Sequence, residues 1–541
     1  MTDVTMTEAA PSAVANKMAE KPSIATRVVF LVLLIAGLSY VAFGLRSDIA
    51  GVGEVIHFGV FALLGLALLI ALGFEFVNGF HDTANAVATV IYTHSLPPVV
   101  AVVWSGAWNF IGVLTSSGAV AYTIVTLLPV ELILQVGNSA GYAMIFALLL
   151  AAIVWNLGTW WLGIPNSSSH ALIGSVMGVG LANQLMAPAG QATSGVDWSQ
   201  AGNVFNALLW SPVMGFFLAG GLLLIMKFAI RVPALYQEPK ADAPPPTWIR
   251  GLLILTCTGV SFAHGSNDGQ KGMGLIMLIL IGAAPTAYAL NRSMADSSMP
   301  AFEAHAQAAQ ALFTAKAAGA PIVTADQARA AVGDALRTKA VDKPSVYEAL
   351  AVITGDITTQ VQTYKSLKLV PAAATPNMRN DMYLVGDALR ILTKSKTAKL
   401  DKPSQATLST FMGDLQQGTR FIPIWVKVGV AIALGLGTMV GWKRIVVTVG
   451  EKIGKTHLTY AQGAAAELVA AATIMGADSL HLPVSTTHIL SSGVAGTMAA
   501  NGSGLQAKTL ISIASAWVLT LPAAILLAGG LYWLLRTVTG G

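Results

Sequence analysis

Apolar runs long enough to cross a membrane recur from one end of this 541-residue chain to the other, and they constrain its fold before any motif is considered. The longest lie at 28–44, 57–74, 99–115, 141–163, 204–226, 252–282, 422–441 and 508–535. About 20 apolar residues in a helix span the roughly 30 Å of bilayer hydrocarbon. Weaker stretches at 118–134, 166–187, 464–480 and 485–500 bring the expectation to about ten to twelve membrane segments. Charged residues make up 11% of the chain, against about 25% in soluble domains, so the expected class is an all-α integral membrane protein in the lipid bilayer. The net charge of +5 lies in loops and gives no reason to expect nucleic acid. A single cysteine, Cys257, excludes an intramolecular disulfide and a thiolate metal cluster.

Two short patterns occur twice within these runs, in the same order. The first is Phe76-x-x-Gly79-x-x-Asp82, repeated as Phe262-x-x-Gly265-x-x-Asp268. The second is Pro165-Asn-Ser-Ser-Ser-His170, repeated as Pro483-Val-Ser-Thr-Thr-His488. Around the latter, residues 163–182 and 481–500 share seven of twenty identities without gaps. A duplicated membrane domain with a carboxylate and a hydroxyl cluster in each half is the plan of many secondary transporters, whose substrate site lies where the halves meet.

The motif spacing also locates an insertion. Asp82 to His170 is 88 residues, but Asp268 to His488 is 220, a surplus of 132. It falls at 285–420, where apolar density drops and helix-like patterns such as Ser345-Val-Tyr-Glu-Ala-Leu appear. The expected layout is a disordered tail (1–25), a first transmembrane repeat with an extra N-terminal helix (26–231), a Pro-rich cytoplasmic linker (232–249), the start of a second repeat (250–284), a helical extracytoplasmic insertion (285–420) and the rest of that repeat (421–541). The stretch 28–44 lacks a clear small-residue cleavage site and reads as an uncleaved helix. Orientation follows the basic residues: Lys17, Lys21 and Arg27, then Lys227, Arg231 and Arg250, then Lys443, Arg444, Lys452 and Lys455 mark cytoplasmic regions.

Four carboxylates, Glu75, Asp82, Asp268 and Glu467, sit in or against apolar segments. An ionised side chain at the bilayer centre costs about 2.5–3.5 kcal/mol on insertion scales, so such groups face a polar cavity or a partner, or else lie at helix ends near headgroups. Repetition of Asp82 and Asp268 at equivalent positions favours the cavity. Their surroundings, Asn78 to Ala86 and His264 to Gly272, are rich in small and amide residues and read as broken helices lining a site. In the second motif, a helix starting at Ser167 or Ser485 would present free N–H donors, a positive dipole end and several hydroxyls, a ready anion site. The bland alternative is simple capping. His170 and His488 are expected to orient those hydroxyls rather than carry protons. Gly450 to Thr456 looks like a P-loop but lacks one residue between its glycines and follows a membrane span, so nucleotide binding is not expected.

Taken together, the blocks Asn78 to Thr93 and Ala263 to Gly272 and the motif Pro483 to His488 resemble the inorganic phosphate transporter (PiT) family, especially its bacterial low-affinity Pit members. The resemblance covers about 57–535 and implies an inverted repeat with broken or re-entrant helices in a bacterial inner membrane. It implies a phosphate site drawn from Asp82, Asn85, Asn267 and Asp268 with Ser167, Ser168, Ser169, Ser485, Thr486 and Thr487. It further implies uptake of phosphate as a complex with a divalent cation such as Mg²⁺, held by Asp82 and Asp268, in symport with protons. Glu75, His81, Lys271, Glu467, His170 and His488 are the candidate coupling or orienting groups. No cofactor is called for, and a homodimer is compatible with the family. Two departures stand out: His81 precedes the first Asp, and Lys271 occupies the position equivalent to Asn85, where its ammonium would replace a coupling cation and favour protons over sodium. Another oxyanion such as sulfate, a membrane phosphohydrolase, and a receptor built on the insertion remain the alternatives at this stage.

Overall fold

The computed structural model describes residues 23–53, 57–128, 139–187, 195–239, 243–395 and 398–539. Within them the chain is helical, with one isolated bridge, Gly454 to Leu505, in place of sheet. Residues 1–22 of the expected tail, 129–134 of a weaker apolar stretch and 240–242 of the linker lie outside the described residues. The tail's last residues belong to the first helix, because the Ser23 hydroxyl accepts from Thr26 N (3.1 Å) and caps it.

The first half contributes α1 (Ile24–Gly51), α2 (Phe58–Tyr92), α3 (Pro98–Thr115), α4 (Ala119–Val125), α5 (Ser139–Trp161), α6 (Ser168–Leu185) and α7 (Trp198–Ala229). After α8 (Thr247–Ala283) come α9 (Met299–Ala317), α10 (Ala325–Thr338), α11 (Pro344–Tyr364), α12 (Thr375–Leu392) and α13 (Lys402–Thr419). The chain finishes with α14 (Ile424–Thr438), α15 (Lys443–Glu451), α16 (Tyr460–Ser479), α17 (Thr486–Asn501) and α18 (Ala507–Thr539).

Among the described residues, six helices (α1, α2, α3, α5, α7 and α18) are long and apolar enough to cross a membrane. Helices α13 and α14, bent by 73° at their junction, qualify only as a pair. This is fewer than the apolar runs suggest, and the reason is packing. Helix α8 is buried without a gap from Ala263 to Leu280, and α17 from Thr486 to Met498. A helix that meets only protein can carry glycines, hydroxyls and amides in place of an apolar surface. The outer helices show the opposite pattern: Val32 and Ile35 on α1, Phe217 and Ile225 on α7, and Val518 and Leu526 on α18 are exposed large apolar side chains for lipid to cover.

The breaks expected at 78–86 and 264–272 are not where the sequence suggested. Helices α2 and α8 run through both blocks, and the non-helical backbone lies at 164–167 and 482–485, directly before α6 and α17. The block glycines serve close approach instead. A Cβ on Gly79 would collide with the Leu434 carbonyl of α14, and one on Gly265 with the Asn109 carbonyl of α3. The contacts are reciprocal, since Gly437 abuts the Phe76 carbonyl and Gly112 the Phe262 carbonyl. Each Asp-bearing helix therefore packs on a helix of the other half, α2 on α14 and α8 on α3. Helices α6 on α18 and α17 on α7 repeat the exchange.

Helices α9 to α13 enclose a core of their own, including Phe302, Phe313, Leu350 and Phe411. Asp197 ties them to the rest. Its Oδ1 caps α7 by accepting from Ser199 N (3.0 Å) and Gln200 N (3.2 Å), while the carboxylate meets Lys339 Nζ (3.4 Å) after α10 and Arg390 Nη2 (3.1 Å) on α12. Burial pushes the Asp197 carboxyl up, but Arg390, the Gln200 N–H and Lys339 outweigh it and hold it below its usual value. A carboxyl depressed in the folded state stabilises fully above its unfolded pKa of about 3.9 and loses that contribution as pH falls through the lower folded value. Docking of α10 and α12 is thus expected to be flat from pH 8 to 5 and to loosen only below about pH 4. Asp197→Asn should loosen it at pH 7 by about 1–2 kcal/mol. Hydrogen exchange on α10 and α12 reads both effects; unchanged protection in the variant would remove Asp197 as the tie.

Candidate functional site

Local sequence sets the two hydroxyl clusters. Pro165 and Pro483 each stand two residues before a cap, where extended backbone is favoured. Ser167 and Ser485 are the N-caps of α6 and α17, their hydroxyls accepting from His170 N (3.1 Å) and His488 N (3.2 Å). The helices proper start one residue later than the hydroxyl motif alone suggests. At the first helical position of each, Ser168 Oγ and Thr486 Oγ1 are buried without a hydrogen-bond partner. At the next position the hydroxyls reach across the halves. Thr487 Oγ1 donates to Asp82 Oδ1 (2.8 Å), and Ser169 Oγ donates to Val484 O (2.8 Å) while receiving Lys271 Nζ (2.5 Å).

The two aspartates meet at the centre. Asp82, Asp268 and His264 each offer a ligand atom, and these atoms lie within 4.8 Å of one another, all fully buried. Asp82 Oδ1 contacts His81 Nδ1 (3.1 Å), whose Nε2 lies 3.3 Å from Thr159 Oγ1, while Asp82 Oδ2 has no hydrogen-bond partner. On α8, Asp268 Oδ1 pairs with Lys271 Nζ (2.7 Å), and Oδ2 lies 3.6 Å from His264 Nε2. His264 Nδ1 is held by Asn109 Oδ1 (2.7 Å) of α3. Lys271 Nζ also donates to Val484 O (3.1 Å), so one ammonium joins α8, α6 and the segment before α17.

The amides complete the frame. Asn85 Nδ2 donates to Thr487 Oγ1 (3.1 Å) and Asp82 O (2.9 Å), leaving Oδ1 without a partner. Asn267 braces the extended segment, donating to Leu482 O (3.1 Å) and accepting from Val484 N (3.3 Å). A buried polar atom left unmatched costs about 1–3 kcal/mol. Several of them lie here beside two carboxylates, an arrangement uncommon in a packed core.

Not every candidate falls in this constellation. Glu75 lies against it: it accepts from Asn78 Nδ2 (3.4 Å), and a Cβ on Gly272 would strike its side chain. His170 and His488 stack on each other (centroids 4.5 Å apart), with His170 Nδ1 2.8 Å from Ser167 Oγ and His488 against Trp517 (4.2 Å). Glu467 is elsewhere. It accepts from Thr256 Oγ1 (2.5 Å), twelve residues before Asp268 and so about 18 Å away along α8. His264 entered the sequence reading only as the first residue of the 264–272 block, with no role of its own. Its position four residues before Asp268, on the same helix face, is the signal that was available.

Comparison with known proteins identifies the family. The phosphate transporter family (PHO4) matches residues 78–528, a span containing both aspartates and both hydroxyl motifs. The chain belongs to that family. Its relatives include the low-affinity inorganic phosphate transporter PitA of Escherichia coli K12, 43% identical over 502 residues (89% of this chain and 98% of PitA). PitB of the same organism is 40% identical over 503 residues (89% and 98%). A solved structure of a sodium-dependent phosphate transporter is 20% identical, with a TM-score of 0.47, over 88% of this chain and 100% of that one. Membership of this family, together with the apolar helices, makes the chain a multi-pass inner-membrane transporter and not an enzyme.

Proposed function

We propose that this chain imports inorganic phosphate as a complex with a divalent metal ion, in symport with protons, through a site formed between two inverted halves. The observation that carries the reading is the convergence of Asp82, His264 and Asp268 beside two capped helix N-termini that carry unmatched hydroxyls. The carboxylates and imidazole take the metal, and Ser168, Thr486 and the first N–H groups of α6 and α17 take phosphate oxygens. Cytoplasmic basic loops and an outward insertion define inward and outward sides.

Charge counting supports the coupling. Three buried carboxylates, Glu75, Asp82 and Asp268, lie around one ammonium, Lys271, a formal charge of −2 when all are ionised. A neutral metal–hydrogenphosphate complex leaves that number unchanged. Uncompensated charge in a low-dielectric site is costly, so a proton on Glu75, the buried carboxylate outside the metal's ligand set, accompanies the cargo. Lys271 fills the place that Asn85 holds in the other half and already contacts Asp268, Ser169 and Val484 O, which leaves no role for a sodium ion there.

The test is radiolabelled phosphate uptake into proteoliposomes, with proton gradient, sodium gradient and metal varied independently. Uptake should require the proton gradient and rise with metal. Mn²⁺ should act at lower concentration than Mg²⁺, because an imidazole ligand suits a transition ion better than magnesium, which prefers oxygen. Uptake driven by sodium alone would overturn the coupling scheme. Absence of phosphate uptake by folded protein would overturn the substrate, with sulfate next to be tried.

A further inference from the structure

A second cluster of cationic and amide groups lies outside the site and outside the family motifs. A cavity of about 390 Å³ opens between the insertion and the membrane helices. The insertion supplies Arg390 from the last turn of α12, Lys394 from the turn that follows it, and Arg420 from the bend between α13 and α14. The membrane half supplies Asn203 and Asn206 on the first turns of α7, and Leu482. Among the described residues no carboxylate lines it.

The charges are not spent on one another. Arg390 is neutralised by Asp387 (2.8 Å) and Asp197 (3.1 Å). Arg420 lies over the Tyr122 ring (5.3 Å), and neither Arg420 nor Lys394 has a carboxylate partner among the described residues. Asp478, close in sequence to the rim, is occupied by Ser266 (2.9 Å) and Gln270 (2.7 Å). The cavity therefore carries two uncompensated positive charges and several amide donors. It also touches the transport site. Leu482, in its wall, gives its carbonyl to Asn267, and only Pro483 and Val484 separate Leu482 from the α17 cap Ser485, at most about 11 Å of extended chain. Thr123 Oγ1 holds the adjoining His481 carbonyl (2.9 Å), fixing that wall.

We infer that this cavity is an oxyanion-collecting vestibule, in which Lys394 and Arg420 of the insertion gather phosphate from outside and deliver it to the N-terminus of α17. The inference rests on the proposed phosphate import and adds a task for the insertion. A cleft of one charge sign raises the local concentration of an opposite ion and its association rate, in a way that salt suppresses. Binding there is weak by design of its geometry, since no buried group grips the ion, and release toward the deeper site is fast.

The experiment is phosphate uptake by the full chain in phosphatidylcholine vesicles, at low and high ionic strength. At low salt, Lys394→Gln should raise KM about threefold and Lys394→Glu about tenfold, with kcat unchanged. Both effects should fall below about twofold at 0.5 M salt. Lys394→Arg and Arg420→Lys should behave like wild type, and Arg420→Gln should resemble Lys394→Gln. A Lys394→Glu variant with wild-type KM, or with a KM change indifferent to salt, overturns the vestibule. An effect that appears only when phosphatidylglycerol is added would assign Lys394 to a lipid headgroup and overturn it too. A second arm does not depend on transport: ³¹P line broadening of inorganic phosphate by detergent-solubilised Asp82→Asn should persist and should vanish when Lys394→Glu is added. Equal broadening in the two proteins counts against the vestibule, whereas absent uptake by wild type counts against the import reading alone.

Discussion

Asp82→Asn should lower metal-dependent phosphate uptake at least about 100-fold while leaving the protein folded. The substitution is nearly isosteric, and the amide oxygen can still accept from Thr487 and keep the α2–α17 contact. What is lost is the charge and one carboxylate oxygen: Oδ2 is buried without a hydrogen-bond partner, and the carboxylate lies beside His264 and Asp268. A hydrogen bond or ligand bond to a charged group is worth about 1.5–3 kcal/mol, and each 1.36 kcal/mol is a factor of ten. Loss of a metal ligand on top of that makes two orders of magnitude the conservative figure. Uptake should be measured beside Mn²⁺ binding by electron paramagnetic resonance on the same preparation. Normal Mn²⁺ binding with lost uptake would move Asp82 from metal ligand to proton carrier, and normal uptake would remove it from the site.

Gly265→Val should abolish accumulation of folded protein, and Gly265→Ala should cost about 2–4 kcal/mol. The first Cβ at this position collides with the backbone carbonyl of Asn109, and a carbonyl in a helix cannot swing aside as a side chain would. Overpacking a tight core contact costs about 1–3 kcal/mol, more when backbone must move. Displacing α3 also pulls Asn109 from His264, so the Ala variant should lose uptake beyond its loss of stability. Gly251 on the same helix is the control: nothing lies within 4 Å of a Cβ there, so Gly251→Ala should be neutral or stabilising by up to about 1 kcal/mol. Denaturant titration in detergent compares the three. Equal stability of the Gly265→Ala and Gly251→Ala variants would refute the contact.

Much of the site was legible because its signals are local. Helix caps are written within four residues, so Pro165 to His170 and Pro483 to His488 could be read as helix starts, and Ser167 and Ser485 do cap α6 and α17. A carboxylate in an apolar run is conspicuous by its cost, which picks out Asp82 and Asp268. The same criterion also picks out Glu467, whose partner Thr256 lies far along α8 from Asp268, and nothing in one sequence separates those cases. His264 escaped because it reads as one polar residue among several until α3 is seen holding its Nδ1.

By itself, then, the sequence determined the membrane class, the two pairs of repeated motifs and the residue types gathered in them, since hydropathy and capping act over short stretches of chain. Only the tertiary structure decided that α2 and α8 run unbroken through their glycine blocks, that Lys271 is bound to Asp268 and Ser169, and that Asp82, His264 and Asp268 converge. The reason is that these outcomes depend on how closely helices approach. That distance is set by glycine–carbonyl contacts such as Gly79 to Leu434 and Gly265 to Asn109, whose partners lie more than a hundred residues apart in the chain.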